Sequence, residues 1–235
     1  MVIHYYQVHP AAQSDELRAQ VAVGLLYFWS ARLTHSYFRR EEWKFGVRED
    51  WRFTDFRRRF PNHWWWMALP VCYLAQQIFL VGVTLPFLAI FTSSQPWNAW
   101  DWVATGMCIT GVVGAYFADT QLRNFMVENE ERRASGQQPI PLLDSGLFYY
   151  SRHPNYFFEQ LFWWSLWIFA WNLGHAWMAG GAFVNSICLA IVSVMVEERM
   201  MRKKERQALL REYINSTSVM VPWFKKSKPA DPKDS

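Results

Sequence analysis

Apolar positions gather in five long segments, roughly Leu17–Phe38, Trp64–Phe91, Trp100–Phe125, Tyr156–Trp171 and Trp177–Val196, separated by polar or charged connections. Their periodicity fits helices. Several approach 20 residues, the length needed to cross a bilayer. Only helices or closed barrels satisfy their own backbone polar groups in lipid. The pattern predicts an all-α fold: a polytopic membrane bundle of about five to six transmembrane helices.

The connections are of two kinds. "RREEWKFGVREDWRFTDFRRRF" (39–60), "ENEERRASGQQPIPLLDSG" (128–146) and the tail from Glu197 are dense in charge. "TSSQPWNAWD" (92–101) and "NLGHAW" (172–177) contain no Lys or Arg. Five alternating spans would put every charged connection on one side, and the positive-inside rule makes that side cytosolic. Trp64, Trp65, Trp66, Trp97, Trp100 and Trp102 fall at span ends, as an interfacial aromatic belt requires. The stretch "VEERMMRKKERQALLREYI" (196–214) predicts a charged helix along the cytosolic interface. Residues 1–16 form a lead-in, 17–224 the membrane domain and 225–235 a disordered basic tail.

Composition supports this division. Of 235 residues 51% are hydrophobic, with 15 Trp and 18 Phe, more aromatic than soluble domains use. The net charge of +4 marks a membrane side and forms no nucleic-acid patch. Cys72, Cys108 and Cys188 stand singly, without metal-ligand or disulfide spacing. No basic head followed by an apolar core opens the chain, so no signal peptide is expected.

Ionisable groups inside spans are costly and mark function by default. Arg32 and His35 stand near the end of the first segment. Asp119 and Arg123 in "GAYFADTQLRNF" are four apart, on one helical face. "GLFYYSRHPNYFFEQ" (146–160) is richer. Pro154 suits the first turn of a helix. Arg152 and His153 then sit at its N-terminus, where backbone donors favour an anion such as a cofactor phosphate. Asn155 offers a donor and an acceptor, as a carboxamide needs, and Glu159 follows one turn later.

Taken together, "RLTHSYFRREEW…REDWRFTDFR", "ADTQLRNF" and "GLFYYSRHPNYFFE" resemble the C-terminal domain of the steroid 5-alpha-reductase family, in its branch of uncharacterised membrane proteins, from about Val21 to Phe224. The resemblance implies a helical membrane fold holding NADPH, and hydride transfer to an activated carbon–carbon double bond of a steroid-like or other lipid enone. It implies cofactor contacts from Arg32, Arg39 or Arg40, Asp119, Arg123, Asn155, Tyr156, Glu159 and Trp163, beside Arg152 and His153 at the helix N-terminus; Tyr156, Glu159 and Tyr150 are the candidate proton donors, with Tyr156 and Glu159 taken as catalytic. The expected setting is the endoplasmic reticulum membrane, with charged loops and C-terminus cytosolic.

The chain departs from the family pattern in three places. Phe158 stands where glycine is usual, Trp29 where a tyrosine is expected, and "QQPIP" replaces the usual lead-in to Gly146. An expected substrate-side acid would lie before Met1, so the chain reads as N-terminally short. Two rivals remain. Membrane S-adenosylmethionine-dependent methyltransferases of the isoprenylcysteine and phospholipid type also carry an Arg-His-Pro-x-Tyr string followed a span pair later by Glu-Glu, here Glu197-Glu198. A catalytically degenerate relative is the other.

Overall fold

The computed structural model describes residues 16–40 and 51–226. The expected lead-in, residues 41–50 of the first charged connection and nearly all of the expected tail lie outside them. The described residues form α1 (Glu16–Arg40), α2 (Trp51–Arg59), α3 (Trp64–Thr92), α4 (Ala99–Ala134), α5 (Leu147–Tyr150), α6 (Pro154–Asn172), α7 (Ala179–Met201) and α8 (Gln207–Ser216), with single 3₁₀ turns at Ala176–Met178 and Lys204–Arg206. No strand forms among them, and the fold is an all-α helical bundle.

Each of the five apolar segments becomes a helix, and among the described residues three are long and apolar enough to cross a membrane. These are Trp64–Thr92, Ala99–Ala134 and Ala176–Met201, with mean hydropathies of 1.9, 1.2 and 2.0. The other two, α1 and α6, are more polar. Helix α1 carries Arg18, Arg32, Arg39 and Arg40, and α6 dilutes its apolar content with Asn155, Glu159, Gln160 and several Trp. In the most apolar window of Ala176–Met201 only 22% is buried, so its apolar surface points outward, as lipid-facing helices do.

Two boundaries also move. Helix α4 continues past Phe125 to Ala134. The extension is supported by the i,i+4 pair of Arg132 and Glu128 at 2.8 Å. At 1.5 Å per residue its 36 residues extend about 54 Å, well beyond a hydrocarbon core. The expected single helix over 196–214 instead breaks at Arg202–Lys203, and α8 starts afresh at Gln207. Within α3, Pro70 lacks an N–H and the ladder widens to a π turn over Ala68–Leu74.

The chain forms two compact units. Of the described residues, the first comprises 16–40, 51–109 and 162–186. In it α1 packs on Pro86–Thr92 through the fully buried Ala19 and Ala22. Gly82 of α3 and Gly181 of α7 touch backbone to backbone, an approach that any side chain at Gly181 would block. Arg18 and Asp101 are both wholly buried and joined twice at 2.8 Å. The guanidinium also donates to the carbonyls of Gln95 and Pro96, at 2.8 and 3.0 Å. Asp101 accepts the Asn98 N–H, and the Asn98 amide donates to Asn172. This network fastens the lysine- and arginine-free turn.

Of the described residues, the second unit comprises 110–161 and 187–226. Val112, Ala115, Ala118, Phe148, Leu210 and Tyr213 are among its buried apolar residues. Asn129, 2% exposed, clasps the link after α4 from both sides, accepting the Ile140 N–H at 2.6 Å and donating to the Ile140 carbonyl at 3.2 Å.

Candidate functional site at the Arg-His-Pro-Asn-Tyr turn

The site is built on the segment between Gly146 and Glu159, in the second unit. Gly146 has φ +62°, a left-handed conformation that favours glycine. A Cβ there would stand 2.7 Å from the Gln121 side-chain oxygen. That oxygen accepts the Leu147 N–H at 2.9 Å, so Gln121 of α4 sets the start of α5.

After α5 the backbone extends through Ser151 and is hydrogen-bonded to a C-terminal strap, residues 217–226. The Arg152 N–H donates to Ser218 at 2.9 Å and the His153 N–H to Val219 at 3.1 Å. The buried Ser151 hydroxyl donates to the Met220 carbonyl at 2.7 Å, and the Trp223 N–H returns to Tyr150 at 2.9 Å. The Tyr213 hydroxyl, at the end of α8, donates to the Phe148 carbonyl. Burial pushes the Tyr213 phenol above its ordinary range, Asp144 and Glu197 push the same way, and Arg152 opposes them. These bonds hold Arg152 and His153 in place just before Pro154 opens α6.

Glu197 of α7 then fixes their side chains. One carboxylate oxygen accepts from Arg152 Nη1 at 3.0 Å and the other meets His153 Nε2 at 3.1 Å. The other face of the motif is aromatic: the His153 and Tyr156 rings stack at 5.1 Å and 6°. The Arg152 Nε–H is buried and makes no hydrogen bond among the described residues. Glu197 was legible in the sequence only as half of the Glu-Glu pair. The spacing of 44 and 45 residues gave no sign that it would close on Arg152 and His153.

Helices α4 and α6 run antiparallel beside the turn. Phe158 rests on Gly114, and Gln121 meets the start of α5. From the Gly114–Phe158 contact, Asp119 lies about 7.5 Å along α4 and Asn155 about 4.5 Å along α6, in the same direction. Asp119, Arg123, Asn155, Tyr156 and Glu159 are all half-buried. Phe158, which stands where the family pattern has glycine, occupies room left by Gly114.

The remaining expected residues belong to the first unit. Arg32 is 8% exposed on α1. Arg39 and Arg40 end that helix, with Arg40 over the Tyr37 ring at 5.6 Å. Trp163 is buried in an aromatic cluster, edge-on to Trp29 at 4.9 Å and to Phe162 at 5.1 Å.

An uncharacterised protein of Schizosaccharomyces pombe is 27% identical to this chain over 167 residues, covering 65% of the chain and 48% of the relative. The chain therefore spans about half the length of that curated relative. No solved structure matches. A family model described as "Protein of unknown function (DUF1295)" matches residues 1–217, and the chain belongs to that family.

Proposed function

We propose that the protein is an NADPH-dependent membrane oxidoreductase that reduces a carbon–carbon double bond of a steroid-like or other lipid enone. The observation that carries this reading is the buried Arg152 Nε–H without a partner, at a helix entrance whose backbone also favours anions. A phosphate oxygen is the acceptor such a donor suits. Similarity to the steroid 5-alpha-reductase C-terminal domain supports the choice of a reduced dinucleotide.

Within the second unit, Arg152 would hold a phosphate while Glu197 keeps its guanidinium in position. Asn155 would pair with a carboxamide through its own donor and acceptor. Asp119 and Arg123, on the neighbouring helix, would orient ribose or phosphate oxygens. NADPH supplies the hydride. The protein contributes placement and a polarising donor for the substrate carbonyl, with Tyr156 and Glu159 as the candidates. The three membrane-length helices would bring an apolar substrate out of the bilayer. An endoplasmic reticulum membrane with cytosolic charged loops is the setting proposed.

The experiment is calorimetric titration of the purified chain in nanodiscs with NADPH, NADH and S-adenosylmethionine. Saturable NADPH binding, weakened about tenfold by Asn155→Ala, supports the reading. NADPH affinity unchanged by that substitution removes the site assignment. One observation favours the methyltransferase reading instead: Glu197, from the Glu-Glu pair, closes on Arg152 and His153. Binding of S-adenosylmethionine with no dinucleotide binding would select it. Tight NADPH binding without turnover of any lipid enone would select the degenerate relative.

A further inference from the structure

A polar cavity of about 480 Å³ lies in the second unit, away from the Arg-His-Pro-Asn-Tyr turn in sequence. It is lined by Arg133, Gln138, Pro139, Pro141, Lys203 and Arg206, with Glu205 as its one acid. Three cations face one carboxylate, and none of the three forms an ion pair among the described residues. Three like charges against a single carboxylate leave a net positive cavity, so the arrangement favours an anion.

The backbone around the cavity adds to this. The last carbonyls of α4, beside Arg133, are already taken: Glu131 and Arg132 accept from the Ser135 hydroxyl, Arg133 from the Gly136 N–H and Arg132 from the Gln137 N–H. The negative end of that helix is therefore capped. Helix α8 begins here with Arg206 at its N-cap and no side-chain cap; the Gln207 N–H donates to the Lys204 carbonyl, and the N–H groups after it carry the positive end of a ten-residue helix. The half-buried Pro139 and Pro141 give the cavity a stiff apolar flank, which a bare inorganic ion would not need. Its volume falls in the range of small-molecule sites.

We infer that this cavity is a binding site for a phosphate monoester, separate from the proposed dinucleotide site, with Arg206, Arg133 and Lys203 gripping the phosphate. The inference does not rest on the reductase reading, because none of the cavity residues is assigned there. The phosphate can come from an anionic lipid headgroup or from a soluble phosphorylated metabolite.

The test uses the full chain in nanodiscs of zwitterionic lipid, titrated with glycerol 3-phosphate, with dihexanoyl phosphatidic acid and, as a control, with sulfate. A phosphate probe should bind with a Kd of about 1 mM or tighter and weaken as salt rises. Arg206→Gln should weaken it about tenfold, and so should the double change Arg133→Gln with Lys203→Gln at exposed positions. Arg211→Gln, on the same helix but outside the cavity, should not. Tighter binding of the soluble probe assigns a metabolite, and tighter binding of the lipid probe a headgroup. Failure of both probes to bind, equal binding of sulfate, or equal weakening by Arg211→Gln overturns the inference. So does displacement of the phosphate probe by NADPH, which would make this cavity part of the dinucleotide site.

Discussion

The ring of Phe158 on α6 rests on the bare Cα of Gly114 on α4, so a methyl group at Gly114 would overlap the ring. Gly114→Ala should therefore cost about 1–3 kcal/mol through overpacking, and Phe158→Ala in the same chain should recover most of that loss. Thermal unfolding of the single and double variants in one lipid composition measures the coupling. Strict additivity would show that the two helices do not meet there.

Arg18 and Asp101 are the only two charged residues with no exposed surface among the described residues, and each satisfies the other. Arg18→Ala leaves Asp101 buried and unmatched, at about 3–5 kcal/mol. Replacing both, as Arg18→Met with Asp101→Leu, should cost much less than the sum of the single changes. Unfolding midpoints of the three variants decide it.

Tyr213 links stability to alkaline pH. Its phenol titrates above the ordinary value because burial disfavours the phenolate. The folded form thus holds its proton more tightly than the unfolded form. The stabilisation is complete below the ordinary tyrosine value of about 10 and is lost progressively as pH rises above it. Limited proteolysis of the strap between pH 8 and 11 should show it loosening only at the alkaline end. Tyr213→Phe, which deletes the bond to Phe148, should loosen the strap at every pH and flatten the profile.

Glu197→Gln separates the two enzymatic readings. The amide keeps the shape but removes the charge that matches Arg152. Under the reductase reading NADPH should still bind, with affinity changed by less than about tenfold, because Arg152 remains present for the phosphate. Under the methyltransferase reading, S-adenosylmethionine binding should be lost. Titration of the variant with both ligands gives the answer.

The helices were legible because apolar periodicity is local. All five segments became helices, and exposed Trp65, Trp66, Trp100 and Trp102 stand at helix ends as expected. Helix length was less legible. The charged residues after Phe125 looked like a loop, yet the Glu128–Arg132 pair lets the helix continue to Ala134. Arg18 gave no signal in the sequence, because its partner is 83 residues away. The same holds at the site. Asp119, Asn155 and Glu159 could be read from spacing within one helix. The Glu197 contacts and the Gly114–Phe158 fit are meetings between helices, and no short-range pattern encodes them.

The strap has a consequence for biogenesis. Arg152 and His153 receive their backbone partners from Ser218 and Val219, some 66 residues further along. During synthesis the motif is therefore made well before the residues that shape it exist. A ribosome paused ahead of Ser218 would leave the motif without its framework, and the site matures only once the strap has been made.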